Sequence, residues 1–232
     1  MTSTSNASWL AYCRAGFEPD LAAEFAAVAG AKPIAALAVP SSTYVLATFA
    51  GRDARKAQSN IAWSKLVFAR QVLRSHLDPI TLPTNDRVTP ILHASGDFLL
   101  ASGVEKISAL RVEYPDTNEG KSLSKLAQTL ETRIGCQLAG AGRVDEKNAA
   151  LPRLHVLLTP ERQAWLGLSD PRSSSPWRNG IPRLRMPRDA PSRSTLKLAE
   201  AFHVFLGENE DRLLQSEMRA VPVVLSMSAD WR

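Results

Sequence analysis

The stretch RLHVLLTPERQAWLGLS, residues 153–169, decides the fold. RLHVLLTP is rich in β-forming residues, and QAWLGLS reads as its hairpin partner. His155 sits between Leu154 and Val156 in the alternation, so it reads as a satisfied, half-buried histidine rather than a ligand or base. Upstream, the polar loop Gly140–Ala150 follows a helix from about Lys121 to Leu138. Leu123, Leu126, Leu130, Ile134 and Leu138 give that helix an apolar stripe. LRVEYP before it is a strand, and Arg87 to Leu100 is helical or mixed. The loop Asp78–Pro83 separates this unit from an earlier one.

The earlier unit begins with the short strand WLAYCR, which turns at Ala15-Gly16. From Pro19 to Val28, Leu21, Phe25 and Val28 fall at helical spacing, with Pro19 in the first turn and Gly30 at the stop. STYVLATF has strand character, and residues 59–69 bring Ile61, Trp63, Leu66, Val67 and Phe68. The expected order is strand, helix, strand, helix, and the expected class is α+β.

With 232 residues, 44% hydrophobic and 22% charged, the chain has the balance of a globular protein with ample core. No apolar run approaches the roughly 18–20 residues of a membrane span. The N-terminus lacks a secretory pattern. Cys13 and Cys136 are scattered thiols, so a reduced, cytoplasmic setting is expected. Four histidines without a His/Cys cluster argue against zinc, and no metal is expected.

The formal charge is +5 with a pI near 9.5, which favours a polyanionic partner. Its source is local. Residues 171–194 carry Arg172, Arg178, Arg183, Arg185, Arg188 and Arg193 against one acid, Asp189, an excess equal to that of the whole chain. Pro171, Pro176, Pro182, Pro187 and Pro191 exclude a regular helix or central strand there. The segment reads as an extended connector whose arginine forks suit phosphate oxygens. Trp177 among these arginines either stacks on an unpaired base or pins the connector to the body.

After the connector, Leu198, Ala201, Phe202, Phe205 and Leu206 form an amphipathic helical stripe, with Ser192 or Ser194 as cap and Gly207 as stop. Ser194 and Lys197, three apart, share a face at its start. The GKS at 120–122 is not a phosphate loop, because Pro115 stands where that loop needs a glycine.

GIPRLRMPRDAPSRSTLKLAEAFHVF, with YCRAGFEPDLAAEF, LVFARQ, DRVTPI, LRVEYPDTNEGK and LPRLHV in the same order, closely resembles the bacterial ribosomal RNA large subunit methyltransferase M family over roughly residues 10–220. The resemblance implies a ferredoxin-like unit to about residue 80 and a THUMP-like RNA-binding domain over 81–168. A basic linker over 169–192 and the start of a Rossmann-like methyltransferase domain over 193–232 follow. It implies transfer of a methyl group from S-adenosylmethionine to a cytidine ribose 2'-hydroxyl of large-subunit ribosomal RNA. Ser194 falls on the position that contacts S-adenosylmethionine, and Lys197 on the first catalytic lysine. Arg172, Trp177, Arg178, Arg183, Arg185, Arg188 and Arg193 are the expected RNA contacts, in a monomer that binds neither membrane nor DNA.

From Val221 the chain reads VPVVLSMSADWR, where the family continues with an acidic residue and a glycine-rich loop. The expectation is therefore an RNA-binding N-terminal portion with a truncated catalytic domain, inactive alone. Two other readings stay open: an active methyltransferase whose cofactor site a partner chain completes, and a non-catalytic basic docking module.

Overall fold

The computed structural model describes residues 6–160, 162–185, 188 and 194–213. They fall in two units, Met1–Ile181 and Pro182–Arg232. In the first, the strands are β1 (Ala7–Tyr12), β2 (Ala35–Leu37), β3 (Tyr44–Phe49), β4 (Gln71–Ser75), β5 (Ile80–Thr81), β6 (Ala109–Glu113), β7 (Arg153–Thr159) and β8 (Gln163–Ser169). The helices are α1 (Glu18–Ala29), α2 (Gly51–Asn60), α3 (Val88–Ala101), α4 (Asn118–Lys121) and α5 (Ser124–Gly140).

All eight strands join in one sheet of order β2-β3-β1-β4-β8-β7-β6, with β5 pairing on β8. The hairpin read from residues 153–169 is present, with Leu154 opposite Leu168 and Val156 opposite Leu166. β6 lies parallel beside β7. The junction between the two halves is the antiparallel pairing of β4 with β8, Arg74 opposite Leu168 and Ser75 opposite Gly167.

Alternation along the strands divides the interior. Trp9, Ala11, Val45, Ala47, Phe49 and Val72 pack under Leu21, Phe25, Ala29, Ala54 and Ala57 of α1 and α2. Leu110, Val112, Leu154, Val156, Leu158, Leu166 and Leu168 pack under Ile91, Phe98 and Leu99 of α3 and Ala127, Leu130, Ile134 and Leu138 of α5. The β4–β8 register places both helix pairs on the same face. The alternate residues Leu10, Tyr12, Leu46, Leu73, Leu157 and Trp165 form a third cluster on the other face.

Local signals explain the ends. Gly30 takes φ 62° at the end of α1, and its N–H reaches the carbonyls of Ala26 and Ala27, as a left-handed stop does. Gly120 of GKS is required by packing, since a Cβ there would lie 2.0 Å from the Pro115 carbonyl oxygen. Its N–H is held by the Thr117 hydroxyl at 2.9 Å, which caps α4.

One expected element moves. The second helix is α2, Gly51–Asn60; the stretch 59–69 holds only its last two residues and a 3₁₀ turn at Trp63–Lys65. α2 buries only Ala54 and Ala57, so its sequence carries no large apolar stripe. β4, absent from the expected order, then completes this half. Cys13 is buried, which with the neighbouring Glu18 pushes its thiol pKa up to about 12, while Cys136 is exposed.

The second unit, by itself, contains α6 (Ser194–Leu206), a 3₁₀ turn Gly207–Asn209 and α7 (Glu210–Leu213). On α6, Leu198 is 53% and Phe205 83% exposed. The expected start of a Rossmann-like domain falls for the rest on residues 214–232, outside the described residues.

Because one sheet runs through both halves, the unit is expected to unfold in a single urea transition. Leu154→Ala, at a fully buried position, should lower stability by about 2–5 kcal/mol, read as an earlier midpoint at unchanged slope. Two separate transitions would mean that the β4–β8 pairing does not couple the halves.

Candidate nucleic-acid interface

The basic connector begins as part of the body. Residues 171–181 form a strap fixed to strands of both halves. The Gln71 amide receives the Ser175 N–H at 3.0 Å and donates to the Ser175 carbonyl at 2.9 Å. Ser174 donates its hydroxyl to the Val72 carbonyl at 3.0 Å, and the Trp63 N–H donates to the Ser173 carbonyl at 2.9 Å. From the other half, Arg153 donates to the Ser175 carbonyl at 3.1 Å and Arg111 to the Pro176 carbonyl at 2.8 Å. Gly180, at φ 66°, lies so close to the backbone that a Cβ would stand 1.8 Å from the Arg70 carbonyl oxygen. A side chain there would meet both strain and collision.

Glu113 is the node of this arrangement. It is 1% exposed, and burial alone raises a carboxyl pKa. His155, the backbone N–H of Asn179 and the Tyr12 hydroxyl together outweigh burial, so its pKa is lowered. Tyr12 donates at 3.0 Å and His155 Nδ1 lies at 2.9 Å, both on Oε2; Asn179 N–H donates to Oε1 at 2.7 Å. Burial, then Glu113, raises the Tyr12 pKa well above its usual value. His155 Nε2 completes the chain with the Ser169 hydroxyl at 2.9 Å.

The order Ser169, His155, Glu113 is that of a nucleophile, base and acid. Exposures of 0%, 0% and 1% leave no route for a substrate. The chain of hydrogen bonds is structural, and His155 is fully buried rather than half-buried.

The comparisons with known proteins follow this anatomy. A family model described as ribosomal RNA large subunit methyltransferase M, N-terminal, matches residues 86–170. One described as the RlmM ferredoxin-like domain matches residues 7–73. A ribosomal RNA large subunit methyltransferase M from Thauera aminoaromatica is 41% identical over 219 residues, 93% of this chain. One from Xanthomonas campestris pv. campestris (strain B100) is 38% identical over 213 residues, 91% of this chain. The chain belongs to the ribosomal RNA large subunit methyltransferase M family. It spans 59% and 60% of the length of those two relatives. TrmN from Thermus thermophilus aligns over 69% of this chain and 45% of its own, at TM-score 0.43 and 19% identity.

The residues expected to act in this family member are dispersed. Arg178 is ion-paired with Glu131, one contact at 2.8 Å. Arg172 holds both oxygens of Asp170, at 3.2 and 3.0 Å. Trp177 is half-buried and meets the Trp63 ring edge-on at 5.7 Å. Arg183, Arg185 and Arg188 are exposed and carry no ion pair to a described residue. Arg193 and the side chain of Ser194 lie outside the described residues. Lys197 is exposed on α6 and pairs with no described carboxylate. Lys197 and its neighbour Leu198 are both exposed, so α6 by itself shows no enclosed site for S-adenosylmethionine among the described residues. Among the described residues no group of three metal-ligating side chains occurs, and no helix is long and apolar enough to cross a membrane.

Sequence reasoning missed Glu113, Gln71, Arg111 and Arg153. All four are polar residues in strands; Gln71 and Glu113 are buried, so polarity at buried strand positions was the available signal, whereas Arg111 and Arg153 are half-buried and gave none.

Glu113 gives a pH prediction. Its folded pKa is below the unfolded value of about 4.3, so its contribution is present above that pH and is lost as pH falls through the folded value. Glu113→Gln should be less stable than wild type at pH 7, with the gap narrowing below about pH 4. A gap that stays constant from pH 7 to 3 in urea melts would contradict this.

Proposed function

We propose that this chain is the RNA-docking portion of an S-adenosylmethionine-dependent ribose methyltransferase acting on large-subunit ribosomal RNA. A ferredoxin-like unit to about residue 80 and a THUMP-like unit over 81–168 dock the RNA, acting as a monomer in the cytoplasm without DNA or membrane. The observation that supports this most is the division of arginines along one segment. Arg172 and Arg178 are neutralised by Asp170 and Glu131, whereas Arg183, Arg185 and Arg188 stay exposed without a described carboxylate. Phosphate oxygens are the anions whose geometry suits such guanidinium forks.

Within this reading, Arg193 joins the same strip. Ser194 and Lys197 stand where the family's chemistry begins, Ser194 toward S-adenosylmethionine and Lys197 toward the ribose hydroxyl. S-adenosylmethionine supplies an electrophilic methyl group when bound. The role of a lysine near the hydroxyl is to orient it and hold its proton. The function proposed for the described residues is docking of the RNA.

Two measurements test it. Binding to large-subunit ribosomal RNA is followed by fluorescence anisotropy across a salt series. Arg183→Ala, Arg185→Ala and Arg188→Ala combined should weaken binding and flatten the log–log salt slope by roughly 2–3, at about 0.7–0.9 per phosphate lost. Unchanged affinity and slope would remove the strip from the interface.

Incubation with labelled S-adenosylmethionine and unmodified RNA should give no methyl transfer, with Lys197→Ala indistinguishable from wild type. Transfer that Lys197→Ala abolishes would overturn the docking-only assignment.

A further inference from the structure

The helix-covered face of the sheet carries a cleft of about 320 Å³ between the two helix pairs. Its floor is Trp9, Val72, Arg74 and Leu168, from β1, β4 and β8. Gln58, Ile61, Val104, Ala150, Pro152 and residues 171–174 of the strap complete the lining. It therefore sits over the β4–β8 junction, wholly within the first unit.

Arg74 is the unusual member. It occupies a central strand, yet it is exposed and lines the cleft, and its guanidinium makes no ion pair or hydrogen bond to a described residue. The lining carboxylate, Asp170, is already engaged. Arg172 takes its Oδ1 through N at 2.9 Å and Nε at 3.2 Å, and its Oδ2 through Nη2 at 3.0 Å. The Arg172 hydrogen bonds are also the largest cause of the lowered Asp170 pKa. That pair is self-contained, and the Arg74 charge is uncompensated above an otherwise apolar floor.

We infer that this cleft is a subsite for a single unpaired nucleotide of the bound RNA, with Arg74 on its phosphate and the base on the apolar floor. The inference rests on the RNA-docking reading and extends it to a contact in the folded body. The volume is at the small end of ligand pockets, enough for one base with its sugar. The composition suits such an occupant. Ile61, Val72, Leu168, Val104 and Pro152 offer apolar surface to a base face, and Gln58, Ser102 and Ser173 offer donors and acceptors at its edge. A base stacked and paired in a helix has both faces and its pairing edge covered, so a lining that meets the face of a base takes a splayed nucleotide.

The test uses the full chain, with cytidine 5'-monophosphate and inorganic phosphate as probes in ¹⁵N NMR and the ribosomal RNA in anisotropy. Cytidine 5'-monophosphate should shift the Trp9 indole and the Val72, Leu168 and Ser173 amides, and phosphate alone should shift them less. Arg74→Gln removes the charge, and Ala150→Trp places a large ring at another lining residue without altering charge. Each should weaken both the mononucleotide and the RNA, Arg74→Gln by roughly tenfold or more, the worth of one charge-assisted hydrogen bond. If both variants bind RNA like wild type while the Arg183/Arg185/Arg188 variant is weakened, the subsite is refuted and the docking reading stands. If wild type binds no RNA at all, the docking reading fails and takes the RNA occupant with it. Mononucleotide binding that RNA does not compete away would likewise overturn the assignment.

Discussion

A carboxylate taken out of water has to be satisfied completely, and Glu113 meets that demand by gathering four parts of the chain. Tyr12 comes from β1, His155 from β7, Asn179 from the strap, and Glu113 itself from the edge strand β6. Both oxygens are used, and the cost of an unpaired buried charge is what holds the partners in place. Gln71 does the neutral equivalent nearby, binding both the N–H and the carbonyl of Ser175. Together these side chains convert a proline-rich segment, which has no ladder of its own, into a fixed strap across both halves.

That fixation changes what the basic segment can be. As sequence, residues 171–194 are a single stretch with arginines and prolines spread along it. As structure, they separate near Pro182. Up to Ile181 the arginines serve the fold, with Arg172 on Asp170 and Arg178 on Glu131. Beyond it, Arg183, Arg185 and Arg188 are exposed. Arg178 on Glu131 ties the strap to α5, whereas Arg172 on Asp170 is a local surface pair.

The sequence was informative wherever side-chain period and burial agree. The β7–β8 hairpin, the stripe of α5 and the stop of α1 at Gly30 all follow from local patterns, and the structure contains each of them. α2 escaped because Ala54 and Ala57 are its only buried residues, and alanine leaves no hydrophobic stripe. The strap escaped for a different reason. Its contacts join residues 22 to 110 apart, such as Arg153 with Ser175 and Trp63 with Ser173, and its hydrogen-bonding residues are ones that also populate loops. Arg74 looked like any polar residue in a strand; only the cleft above it and the engagement of Asp170 by Arg172 distinguish it. The motifs at Ser194 and Lys197 were legible through family resemblance, whereas their geometry adds only that Lys197 is exposed.

In the proposed reading RNA is held by the exposed arginines of the second unit and, separately, by the cleft over the β4–β8 junction of the first. Mass-spectrometric mapping of ultraviolet crosslinks between the full chain and large-subunit ribosomal RNA tests it most directly. The account expects crosslinked peptides from residues 182–193 and from the cleft around Trp9, Arg74 and Arg172. Crosslinks confined to the outer faces of α3 and α5, with both of these regions silent, would contradict it.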